Sequence, residues 1–126
     1  MSDNPQILPS WFHSDLAVID VETTGLDSQT DRIIEIAIVH MREGQVLDTW
    51  NQLVNPEQEI PEEVTKITGI TQDDIKDQPI FSAIAEEAHR RLDGRVIVAY
   101  NLSFDRGFVR NELQRTGYKW PDTWMS

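Results

Sequence analysis

Cysteine is absent from this 126-residue chain. That excludes disulfides and any zinc or nucleophile chemistry needing a thiol, and it fits a cytoplasmic location. Also missing is an apolar run near the roughly 20 residues that cross a bilayer. The opening MSDNPQILPS has neither the basic nor the apolar region of a secretory signal, so no membrane association is expected. No repeat or low-complexity stretch is present, and the length bounds the chain at one domain with a modest core. Positive charge is scarce: 11 Lys and Arg stand against 22 Asp and Glu, a formal charge of −11. This balance disfavours attachment to nucleic acid through a general basic surface, although metal ions and a local patch can do that work. The later basic residues Arg90, Arg91, Arg95, Arg106, Arg110, Arg115 and Lys119 are read mainly as solvated helix faces.

What is present begins with Leu16–Leu26, reading LAVIDVETTGL. An apolar run typical of a buried strand carries Asp20 and Glu22 near its end. Residues two apart on a strand share a face, roughly 6.5–7 Å from one another. Two acids so placed repel and lose hydration, at a cost of several kcal/mol per ion unless compensated. A divalent cation is the commonest compensation. Thr23, Thr24 and Gly25 then force a turn that leaves backbone groups beside the acids.

In chain order, residues 1–14 read as an irregular tail that Trp11 and Phe12 pin to the body. The expected strands are Leu16–Glu22, Arg32–Met41, Val46–Val54 and Arg95–Tyr100, with a hairpin turn at Arg42–Gln45. Val46, Asp48, Trp50, Gln52 and Val54 share one face of the third strand. Pro61 fits the first turn of a short helix through Lys66, and Thr71 fits the cap of another. Phe81, Ile84, Ala85, Ala88 and Leu92 lie at helical spacing, predicting a helix over 80–92 that Gly94 stops. Phe104, Phe108, Val109 and Leu113 mark a last helix ending near Gly117. Trp120–Ser126 reads as the approach to a fifth strand. Short turns followed by a crossover helix predict a mixed sheet.

Asp105, in YNLSFD, follows a strand at the start of a helix. An acid there is explained by helix capping or by the helix dipole, worth about 0.3–1 kcal/mol. Taken alone, capping is the favoured account; if the fourth strand lies beside the first, Asp105 would instead project toward Asp20 and Glu22 as a third carboxylate. Three carboxylates make an oxygen-rich site suited to Mg²⁺ or Mn²⁺.

Asp20-Val21-Glu22-Thr23-Thr24-Gly25 resembles the first motif of the DEDD 3′–5′ exonucleases, the family of the proofreading epsilon subunit of bacterial DNA polymerase III. Tyr100-Asn101-Leu102-Ser103-Phe104-Asp105 resembles the second. Arg32–Val39 and Ile67–Thr71 match the segments between, so the likeness spans about residues 15–125. It implies an α/β, ribonuclease-H-like mixed sheet of order 3-2-1-4-5 with helices on its faces. It implies two divalent metals, Mg²⁺ or Mn²⁺, with Asp20, Glu22 and Asp105 as catalytic ligands. Thr23 and Thr24 would lie at the terminal nucleotide. Leu26 and the loop of Ile67 and Thr68 would wedge against the last bases, with Phe104 beside the terminal sugar. For Leu26, Ile67 and Phe104, core packing is the alternative. The implied partners are a single-stranded DNA or RNA 3′ end and a DNA polymerase.

Two departures accompany the likeness. Tyr100 stands where the family has His. The third motif, a His with an Asp five residues on, has no match: His13, His40 and His89 are followed at that distance by Val18, Gln45 and Gly94. The resemblance thus implies an exonuclease domain over 15–126 lacking its final strand and helix, with the fourth acid and the general base beyond Ser126. Little exonuclease activity is expected of it. An apolar stripe of Phe108, Val109 and Leu113 left without cover, and self-association through the uncovered sheet, are expected as well. The rivals are a catalytically silent nucleic-acid or protein-interaction module, and last an aspartyl phosphotransferase, which the Arg32–Val54 hairpin argues against.

Overall fold

The computed structural model describes residues 10–118. Strands β1 (Leu16–Thr23), β2 (Ile33–Arg42) and β3 (Gln45–Leu53) form an antiparallel meander, and β4 (Val96–Val98) joins β1 in parallel. The sheet order is β3-β2-β1-β4. It agrees with the ribonuclease-H-like expectation through four strands; the proposed fifth lies outside the described residues.

The β2–β3 turn works because Glu43 and Gly44 both take positive φ, 52° and 76°, the pairing that matches strand twist in a tight hairpin. The register of β1 on β2 shifts once: Glu22 faces Glu35, whereas Thr23 faces Ile33. Ile34 is therefore the extra residue of a bulge, which turns it out of the main core. Ile33 joins the main cluster with Ile19, Val21 and Ile36, while Ile34 nucleates a satellite with Ile70 and Ile75.

That satellite holds the excursion between β3 and the next long helix, which carries α1 (Glu62–Thr68) and α2 (Gln72–Ile75). Pro61 stands at the N-cap of α1, one place before the first turn expected for it, and Gly69 (φ 77°) ends the helix. Thr71 caps α2 in a reciprocal box with Asp74. Both ends of the excursion meet in a parallel bridge between Asn55 and Ile80.

Helix α3 (Phe81–Leu92) buries the stripe read from the sequence, namely Phe81, Ile84, Ala85, Ala88 and Leu92. Strand β4 is shorter than the Arg95–Tyr100 expected, pairing only opposite Leu16–Val18. Helix α4 (Leu102–Arg115) packs on α3, β1 and β2. The expectation that Phe108, Val109 and Leu113 lack cover is corrected here: they are 1%, 0% and 0% exposed, because α3 and the sheet enclose them. On the edge strand β3 the expected shared face is weak, since Val46 and Asp48 are exposed and Trp50 is half-buried beneath the Arg91 guanidinium. Residues 10–13 of the N-terminal segment form a 3₁₀ turn, and Phe12 accepts from the Glu43 amide.

Candidate active site

The end of β1 outruns its parallel neighbour. Strand β4 stops pairing at Val18, so β1 continues toward Asp20 and Glu22 without it. Into this gap comes the first turn of α4. The Val21 N–H donates to Asp105 Oδ1 at 3.2 Å. Asp105 is 6% exposed, and burial pushes its carboxyl up to about 6, with the Asp20 charge adding to the rise and the Val21 bond opposing it. Glu22 is raised too, first by burial, then by Asp20, Glu35 and Asp105. The Asp20 charge thus acts on Asp105, and the Asp105 charge on Glu22.

Glu35 was not anticipated. It faces Glu22 directly across the β1–β2 ladder, where like charges destabilise a sheet. Its signal was an acid inside the apolar run IIEIAIV, but which strand residue it would face depends on the hairpin and bulge.

Among the described residues, no group of three or more His, Asp or Glu side chains stands close enough to hold an ion as placed. The donor set nevertheless fits a hard divalent cation: Asp20, Glu22 and Asp105 supply only carboxylate oxygens. Glu22 and Asp105 are held above their ordinary carboxyl range, first by burial and then by the Asp20 charge, and the Asp105 charge adds to the rise at Glu22. Asp20 is exposed.

Beside the acids lies a cleft of about 400 Å³, lined by Glu22, Thr23, Gly25 and Leu26 from the end of β1 and its turn. Glu63, Val64, Ile67 and Thr68 of the α1 segment line it as well, as does Phe104 of α4. Leu26 and Ile67 are 87% and 84% exposed, so core packing does not account for either. Phe104 is partly buried and stacks at 4.9 Å on Phe108, combining a packing role with a face on the cleft. Thr68 lines the cleft while its hydroxyl donates to Val64 O and accepts from Ile70 N–H. Thr23 bonds Gly25 O.

Thr24 sits differently. It is 2% exposed, and its hydroxyl accepts the Arg32 N–H and donates to Gln58 Oε1. Its side chain is thus spent on holding the turn and the α1–α2 excursion. The histidines stand elsewhere: His13 pairs with Glu43, His40 with Asp15, and His89 packs on Tyr118.

A mixed sheet flanked by helices, with acids at the end of its first strand and at the head of α4, defines the ribonuclease-H-like exonuclease class. The fold matches the crystal structure of E. coli exonuclease I in complex with a dT13 oligonucleotide, with a TM-score of 0.76 at 24% identity over 84% of this chain and 25% of that one. The family model described as Exonuclease (RNase_T) matches residues 17–125, and the chain belongs to that exonuclease family. It is 42% identical over 106 residues to the 3′-5′ exonuclease DinG of Bacillus subtilis (strain 168), covering 83% of this chain and 11% of that protein. It is 35% identical to the PolC-type DNA polymerase III of Clostridium perfringens (strain 13 / Type A), covering 84% of this chain and 7% of that one. The chain spans about a tenth of the length of these relatives.

Proposed function

We propose that this exonuclease domain binds Mg²⁺ or Mn²⁺ through Asp20, Glu22 and Asp105 and removes nucleotides from the 3′ end of a single strand. The observation that carries the reading is the placement of Asp105 at the Val21 amide beside the β1 acids, of which Glu22 lines a largely apolar cleft. When bound, such metal ions would polarise the phosphodiester and lower the pKa of the attacking water. The chain's own residues do the rest. Leu26, Ile67 and Phe104 offer apolar surface to the terminal bases and sugar, and Thr23 and Gly25 bring the backbone turn alongside. The negative rim, including Glu63, would disfavour a phosphate chain in the cleft without a cation to screen it.

The test is release of nucleotides from a 5′-labelled single strand by the purified chain, with and without Mn²⁺. Asp20→Ala, Glu22→Ala and Asp105→Ala should each abolish whatever metal-dependent release the parent shows and weaken its Mn²⁺ binding. Turnover by this chain is expected to be slow, since none of its histidines stands at the acids and an absent general base costs about 10²–10⁴-fold. The same placement of the histidines favours a second reading, a catalytically silent module that holds nucleic acid or protein in the same cleft. Mn²⁺ binding that does not depend on the three acids would select that reading. DNA polymerase association is proposed by analogy with the PolC-type relatives and is testable by co-purification.

A further inference from the structure

Helix α4 is fastened in its C-terminal half, well away from the carboxylate at its head. Glu112 is 1% exposed, yet both of its oxygens are occupied. The Arg32 Nε stands 3.1 and 3.0 Å from Oε1 and Oε2, and Arg32 Nη2 donates to Oε1 at 2.8 Å. The Ile33 N–H donates to Oε2 at 3.0 Å, and Arg115 adds a contact to Oε1 at 3.3 Å. On the same side of α4, Asn111 Nδ2 donates to Ser28 O at 2.7 Å and Arg115 Nη2 to Gln29 O at 3.1 Å. The last turns of the helix are thus stapled to the β1–β2 connection and the start of β2.

Arg32 reaches the acid strand by a short route. Its backbone holds Thr24 twice: the Thr24 N–H donates to Arg32 O at 2.9 Å, and Arg32 N–H donates to Thr24 Oγ1 at 3.0 Å. Thr24 follows Glu22 by two residues. At the other end of the path, Asp105 lies two turns before Glu112, about 10 Å along the axis at 1.5 Å per residue. A rigid helix passes a shift at Glu112 to Asp105 undiminished.

We propose that Glu112 and Arg32 form a positioning pair that fixes α4 along its axis and so holds the Asp105 carboxylate at the Val21 amide beside Asp20 and Glu22. Stability alone does not explain the pair. Burying an ion pair costs desolvation, and apolar residues of similar volume commonly serve a core as well or better, by about 1–4 kcal/mol. What an apolar contact lacks is direction. A bidentate guanidinium–carboxylate pair admits one register, and a slip of one helical turn would carry Asp105 out of the gap beyond β4.

The proposal rests on the metal-binding reading above, and the experiment separates the two. Mn²⁺ affinity, read from the free-ion EPR signal, and thermal melting are measured for the parent chain, for Asp20→Ala, and for the double variant Arg32→Met with Glu112→Leu. The double variant should melt at or above the parent temperature while binding Mn²⁺ about 10–100-fold more weakly, the usual effect of removing outer support from a metal ligand. Unchanged Mn²⁺ affinity in a folded double variant overturns the positioning role. Should that variant fail to fold, Arg32→Lys replaces it: the charge stays, the fork is lost, and weaker Mn²⁺ binding is again expected, with unchanged affinity overturning the proposal. A parent chain that binds no Mn²⁺ more tightly than Asp20→Ala sinks the metal-binding reading and this proposal together. Tight parent binding with an unaffected variant sinks the proposal alone.

Discussion

The Val21 amide donates to Asp105 Oδ1 at 3.2 Å, joining residues 84 apart in sequence. The bond seats a carboxylate in the gap left by β4, but burial outweighs it and the carboxyl titrates near 6 instead of 3.8. An acid raised on folding is held more tightly protonated in the native state. Its stabilising contribution is therefore fully present below 3.8 and is lost as pH rises through about 6. In metal-free buffer near neutral pH, Asp105→Asn should melt higher than the parent, by about 1–3 kcal/mol at 1.36 kcal/mol per pK unit. The gain should disappear in acid. A variant that melts lower than the parent near neutral pH contradicts the assignment.

Metal should reverse this strain. Mn²⁺ at about 100 times its dissociation constant is expected to stabilise the parent by about 2.7 kcal/mol, the mass-action value for a ligand that binds only the folded state. Calorimetry should show the shift lost in Asp20→Ala and in Asp105→Asn.

Gly25 leaves space that another part of the turn occupies. A Cβ there would stand 2.3 Å from Asp31 Oδ2 and 2.9 Å from Oδ1, while Asp31 Oδ2 accepts the Asp27 N–H at 3.0 Å. Gly25→Ala must swing that carboxylate away and break the bond, at about 0.5–1.5 kcal/mol. Urea denaturation should read that loss with an unchanged slope.

Leu26 and Ile67 both line the cleft, and both are largely exposed. Replacing either by Ser should leave stability within about 0.5 kcal/mol. Affinity for a short single strand, measured by fluorescence anisotropy in the presence of Mn²⁺, should fall by about tenfold, because burying such a side chain is worth about 1.5–3 kcal/mol. A large drop in melting temperature would return these residues to the core.

The sequence showed this site where its signals are local. Asp20 and Glu22 are unusual in an apolar strand, and the α3 stripe repeats at helical spacing, so strand, helix and acids could all be read directly. Asp105 was ambiguous between a cap and a carboxylate beside the β1 acids, because its reach to β1 depends on where β4 stops pairing, beside Val18. Glu35 was missed because facing Glu22 is a property of register, which the bulge at Ile34 helps to set. The Arg32–Glu112 pair was missed because nothing local links two residues 80 apart. Leu26 and Ile67 could be read as core because an apolar side chain carries no mark of which way it points. The expected bare stripe on α4 failed for a related reason: the cover comes from α3, whose packing partner the periodicity does not name.

The bridge between Asn55 and Ile80, reinforced by the Asn55 N–H on Pro79 O, cinches the α1–α2 segment at its root. Loop closure is nearly indifferent to how much chain lies beyond such a knot, each doubling of length costing only about 0.6 kcal/mol. The cleft wall that carries Ile67 is therefore a modular fitting. Its span can change while the strands that carry the carboxylates keep their register.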